Sequence, residues 1–191
     1  MRTRASPFLV WVMAMCCVSA VAGRAHELET DRLTVIQREP NHLALTLRID
    51  EIALMQRLLA PGSTRNEFLL ACVALPPEAL ENKLSRARTM FAAQFSVRDD
   101  RGRIVPLQGW QWPKLQESRQ RLSEAALALI ATGEAHVHAA PAELIADAVA
   151  TRPLERASIV QPESLPDLTV VSYRPTQRRA TTPGKPLPLR F

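Results

Sequence analysis

Leu43-Ala44-Leu45-Thr46-Leu47-Arg48-Ile49 runs straight into Asp50-Glu51-Ile52-Ala53-Leu54-Met55-Gln56-Arg57-Leu58-Leu59, and the apolar period changes at Asp50. Up to Ile49 every second residue is large and apolar, as in a strand with one buried face. From Ile52 onward the apolar positions Ile52, Met55, Leu58 and Leu59 fall on one helical stripe. Asp50 sits at the junction, with the short acceptor side chain that caps a helix start. Pro61-Gly62 then stops the helix. A strand that hands over to a helix within one residue makes this a mixed chain.

Reading outward from that junction fills in the remaining elements. Upstream, residues 27–37 form a strand with Leu28, Leu33 and Val35 facing inward, and the turn chemistry of residues 38–42 makes the pair a hairpin. Downstream, Thr64 and Glu67 have capping-box spacing and open a helical stretch through about Ala74. Pro76-Pro77 starts a longer helix over 77–92, with Leu80, Leu84, Ala87 and Phe91 on its core stripe. Residues 95–98 form a strand, Asp99 to Gly102 a tight turn, and Arg103 to Trp112 a second strand. Pro106 and Gly109 make that second strand edge-like or bulged. Residues 114–131 form an amphipathic helix whose inner face is Leu115, Leu122, Ala126 and Leu129, ended by Thr132-Gly133. Strands return over 134–150 (broken at Pro141), 154–160 and 168–173. The expected architecture is α+β: antiparallel strands with three to four helices packed on one side, in a single domain over residues 26–173.

The two ends of the chain read differently. Met1 to Arg4 is basic, Phe8 to Ala22 is uncharged and apolar, and small residues follow, as in a secretory signal peptide over residues 1–25. Cleavage is expected after Ala22 or Ala25. Of 24 basic residues 21 are Arg, a bias of GC-rich bacterial coding sequence, so the expected location is the periplasm. No transmembrane segment is expected after signal removal. Residues 174–191 form a basic, Pro- and Arg-rich tail expected to be disordered.

The formal charge of +5 belongs to those ends. It falls to +2 once Arg2, Arg4 and Arg24 leave with residues 1–25. It reaches −3 for residues 26–173 once Arg174, Arg178, Arg179, Lys185 and Arg190 are set aside with the tail. A nucleic-acid partner is therefore not expected, while the tail has the charge to touch an anionic membrane surface.

Little in the chain announces catalysis. There is no Gly-rich phosphate loop, no G-x-S-x-G elbow and no CxxC in the mature chain. Asp50-Glu51 reads as a cap plus a first-turn charge, and Asp99-Asp100 as turn chemistry. Cys16 and Cys17 leave with the signal, and Cys72, inside an apolar run, reads as a buried structural thiol. Two constellations remain. His136-Val137-His138 on a strand would present both imidazoles to one face, and His26 would become N-terminal if cleavage follows Ala25. Its amine and ring nitrogen, joined by His136 or His138, would make a three-nitrogen copper site. Trp110-Gln111-Trp112 would place two indoles on one strand face. They read either as a ligand-stacking platform or, more simply, as part of the core.

The opening Ala25-His26-Glu27-Leu28-Glu29-Thr30-Asp31-Arg32-Leu33-Thr34-Val35, followed by Arg48-Ile49-Asp50-Glu51-Ile52-Ala53-Leu54, resembles the exported N-terminal part of hydrogenase/urease accessory-type proteins over residues 25–60. The resemblance implies a soluble, exported, β-containing domain. The function expected from the chain as a whole is a non-enzymatic binding or accessory role, without a cofactor, toward a periplasmic or membrane-protein partner. The alternative is a copper or other divalent-metal binder using His26, His136 and His138.

Overall fold

The computed structural model describes residues 31–132 and 140–175. Strands β1 (Arg32–Glu39) and β2 (His42–Ile49) pair antiparallel, with Leu33 opposite Leu47 and Val35 opposite Leu45. All four side chains are buried, because alternation along each strand sends them to one face. The register slips between Gln37 and Glu39, so the ladder ends just before the turn.

The chain leaves the hairpin where the sequence period changes. The Asp50 carboxylate accepts hydrogen bonds from the Ile52 and Ala53 N–H groups, both at 3.0 Å, and opens helix α1 (Glu51–Leu59). Helix α2 (Arg65–Val73) opens on a complete capping box between Thr64 and Glu67. Helix α3 (Pro77–Gln94) buries Leu80, Leu84, Ala87 and Phe91, the stripe read from the sequence. Helix α4 (Leu115–Thr132) buries Ser118, Leu122, Ala125 and Ala126, with Leu115 and Leu129 only partly covered. Its inner face is rotated from the purely apolar stripe because Ser118 is drawn inward by a buried acid, Glu51.

The capping box carries a pH signature. The Thr64 N–H, and then its hydroxyl, hold the Glu67 carboxyl below its ordinary value of 4.5. A depressed folded value means the stabilisation is present above the unfolded value and is lost as pH falls through the folded one. The gap in unfolding free energy between the native chain and Glu67→Gln is therefore expected to be widest at neutral pH and to close in strong acid. Denaturant titrations at both pH values check this, and equal gaps would contradict it. Asp31 works in the opposite sense. Burial pushes its carboxyl up despite the nearby Asp50 N–H and Arg57, so its contribution weakens the fold as pH rises through the carboxylate range.

Two sheets complete the architecture. Strands β3 (Ser96–Asp99) and β4 (Ile104–Val105) pair antiparallel across the Asp99–Gly102 turn. At Pro106 the chain changes sheet, and β5 (Leu107–Gln111) pairs instead with β6 (Ala142–Val149). The expected single strand from Arg103 to Trp112 is thus two short ones, because Pro106 lacks the N–H that would continue the first ladder. Gly109, at φ +32°, sits in the bulge between Gln108 and Gln111. Strand β7 (Ala157–Val160) joins β3, and β8 (Thr169–Tyr173) joins β1. The sheet orders are β5-β6-β2-β1-β8 and β4-β3-β7.

The α+β class stands, with one correction: β8 runs parallel to β1, while the other pairs are antiparallel. The whole domain lies between these two strands in sequence, so no short hairpin forces them antiparallel. On β6 the alternation is clean, and on β2 only Ala44 departs from it by being buried on the outer face: Leu45, Leu47, Leu144 and Ala146 are buried while Arg48 and Glu143 are exposed. One face of the large sheet therefore carries a single core, shared with all four helices and with Val97 and Val105 of the small sheet.

Candidate ligand-binding cleft

Gln37, at the bulged end of β1, organises a concavity beside the edge of the large sheet. Its amide nitrogen donates to the carbonyls of Pro40 and Leu154, each at 3.0 Å. Its amide oxygen accepts from Arg174 Nε at 2.9 Å and Nη2 at 2.6 Å. One side chain thus ties the hairpin turn, the segment leading into β7 and the end of β8. The Leu154 N–H also donates to the Pro40 carbonyl at 2.6 Å. That bond holds residue 154 against the turn, so the strand expected from Leu154 begins only at Ala157.

Between the segments so pinned lies a cleft of about 710 Å³. Its apolar floor comes from Val35 and Leu43 on the core face of the large sheet, continued by Val170, which pairs with Leu33. Leu154 and Ile159 form the opposite wall, and Glu155, Arg156, Ser172, Tyr173 and Arg174 form the polar rim. An apolar floor with a few polar groups at the edge, at this size, is the usual construction of a small ligand site. Two rim arginines against one glutamate give the mouth a positive bias. A second depression of about 690 Å³ lies around the Asp99–Arg103 turn and shares Leu154 and Glu155 with the first.

The residues singled out from the sequence are distributed elsewhere. Trp110 and Trp112 are packed onto the core: Phe91 meets them edge-on, with ring centres 5.5 and 5.4 Å away, and Phe95 meets Trp110 at 5.0 Å. The Arg88 guanidinium lies over the Trp112 ring at 5.9 Å. The indoles are engaged in packing, which is the core reading of the pair. His26, His136 and His138 lie outside the described residues. Among the described residues no group of three or more His, Cys, Asp or Glu side chains is placed to hold a metal ion. Cys72 is buried, and burial pushes its thiol up, away from the reactive thiolate.

Two polar clusters have no local signature in the sequence. His42 Nε2 lies 2.7 Å from Asp147 Oδ1, a diagonal pair on the outer face of β2 and β6. Glu51, only 4% exposed, accepts from Ser118 Oγ at 2.7 Å and from Arg121 Nε at 3.0 Å. Glu51 therefore clamps α1 to α4, beyond the first-turn charge its position announced. The cleft residues Gln37 and Arg174 carry no local signal, since they meet each other, and Gln37 meets Leu154, across more than a hundred positions.

No family model matches the chain, and no curated protein or solved structure matches it. Among the described residues no helix is long and apolar enough to cross a membrane.

Proposed function

We propose that the chain is an exported, non-enzymatic binding or accessory protein whose ligand seats in the cleft between β8 and the segment around β7. The observation that carries this reading is the pairing of an apolar floor (Val35, Leu43, Val170) with a rim bearing Arg156 and Arg174. Such a site favours a ligand with an apolar body and a negatively charged group. The signal-like residues 1–25 support export, and sequencing the N-terminus of secreted material would find a start after Ala22 or Ala25.

The cleft reading is tested with the anionic dye 1-anilinonaphthalene-8-sulfonate. Saturable binding with enhanced emission is expected, weakened at least tenfold in Val170→Trp. Val170 is 46% exposed, so the larger side chain is accommodated while it fills the floor. Equal dye affinity in native protein and variant would show that the dye binds elsewhere, and would overturn the reading.

A further inference from the structure

We infer that the cleft takes an extended polypeptide segment, added to the large sheet as a strand beside β8, with an acidic side chain facing Arg156. The inference rests on the cleft being the binding site and adds the kind of ligand. Strand β8 is the last strand of its sheet. The Thr169 N–H donates to the Asp31 carbonyl at 2.8 Å, so Thr169, and by alternation Val171 and Tyr173, turn their backbone groups toward β1. Val170 and Ser172 turn theirs to the open side, where no described strand pairs with them. The same two residues line the cleft with their side chains. A strand laid along this edge would form backbone hydrogen bonds to Val170 and Ser172 while sending alternate side chains over the apolar floor.

Of the other edges, β7 lines the same cleft but is only four residues long, and the remaining two are blunted in ways that β8 is not. Strand β5 carries the Gly109 bulge, and β4 has only two residues. Open edges are ordinarily guarded by charge, proline, bulges or shortness. Thr169-Val170-Val171-Ser172-Tyr173 contains no charge, no proline and no glycine, and its pairing with β1 is unbroken. Strand addition at an unguarded edge is a recurring mode of peptide capture, with backbone bonds supplying affinity and side-chain pockets selectivity. The charge on the rim selects the partner: Arg156 makes no ion pair among the described residues, so its guanidinium is available to a carboxylate. A small amphiphile would use the floor and the arginine and leave the strand edge unused.

The test uses a fluorescein-labelled pool of synthetic heptapeptides in which valine alternates with serine, threonine or glutamate. A second pool carries N-methyl groups at alternate residues, which block one hydrogen-bonding edge and keep every side chain. Anisotropy is expected to show saturable binding of the first pool, at least tenfold weaker binding of the second, and at least fivefold weaker binding of the first to Arg156→Glu. Equal binding of both pools, or none of either, would overturn strand addition. If the dye still responds to Val170→Trp in that case, the cleft stands and only the ligand class fails. If the dye ignores Val170→Trp, the cleft reading itself has failed. Sedimentation of the protein alone closes the remaining route: a dimer abolished by Val170→Trp would make a second copy of this chain the occupant and overturn the inference.

Discussion

Replacing Phe91 with Ala is expected to lower the unfolding free energy by about 3–5 kcal/mol, the range for truncating a fully buried aromatic ring. Phe91 has 0% exposure and lies near the end of α3, where it meets Phe95, Trp110 and Trp112 with ring centres 5.8, 5.5 and 5.4 Å away. Each such pair contributes about 0.5–1.5 kcal/mol beyond the area it buries, so the loss extends past the cavity itself. Trp110 belongs to β5, Trp112 to the chain leading into α4 and Phe95 to the C-terminal cap of α3, so the rings are held by different segments and are poorly placed to collapse into the void. Phe91→Leu should recover a substantial part of the loss by refilling volume. Urea unfolding checks both variants. A loss below about 1 kcal/mol for Phe91→Ala would show that this aromatic cluster is not a principal part of the core.

Glu51→Ala is expected to cost a similar amount, about 3–5 kcal/mol, because it removes one partner from a buried ion pair. The carboxylate accepts from Ser118 and Arg121, and Arg121 is itself largely covered. Truncation leaves the guanidinium and the hydroxyl without their acceptor in a place that water reaches poorly. Arg121→Ala alone should also destabilise, and the double variant should lose clearly less than the two single losses added together. Strict additivity in that cycle would mean that Glu51 and Arg121 are neighbours without coupling.

The elements legible in the sequence are those whose causes are local. The β1–β2 alternation, the Asp50 cap, the Thr64–Glu67 box and the Leu80–Leu84–Ala87–Phe91 stripe each depend on residues a few positions apart, and each forms as read. The features that were not legible depend on distant partners. Pro106 marked an irregular strand, but only the choice between β3 and β6 as neighbour makes it the point where the chain changes sheet. The direction of β8 follows from how the chain returns after β7, which no period in residues 168–173 encodes. Glu51 looked like a helix-start charge because its partners lie 67 and 70 positions away. The cleft was hidden for the same reason, since Gln37 assembles it through bonds to Leu154 and Arg174. Trp110 and Trp112 stand out in the sequence only as a pair, and both pack edge-on against Phe91.

The most direct measurement of the cleft as a binding site is a 1H–15N chemical-shift titration of the full chain with 1-anilinonaphthalene-8-sulfonate. The surface offers a built-in comparison, because Leu127 and Ile130 on α4 are 68% and 75% exposed and are the competing apolar patch. The expected result is saturable shifts at the amides of Leu43, Ile159, Val170 and Ser172, with the amides around Leu127 and Ile130 unmoved. Shifts confined to α4, with the cleft amides silent, would contradict the account.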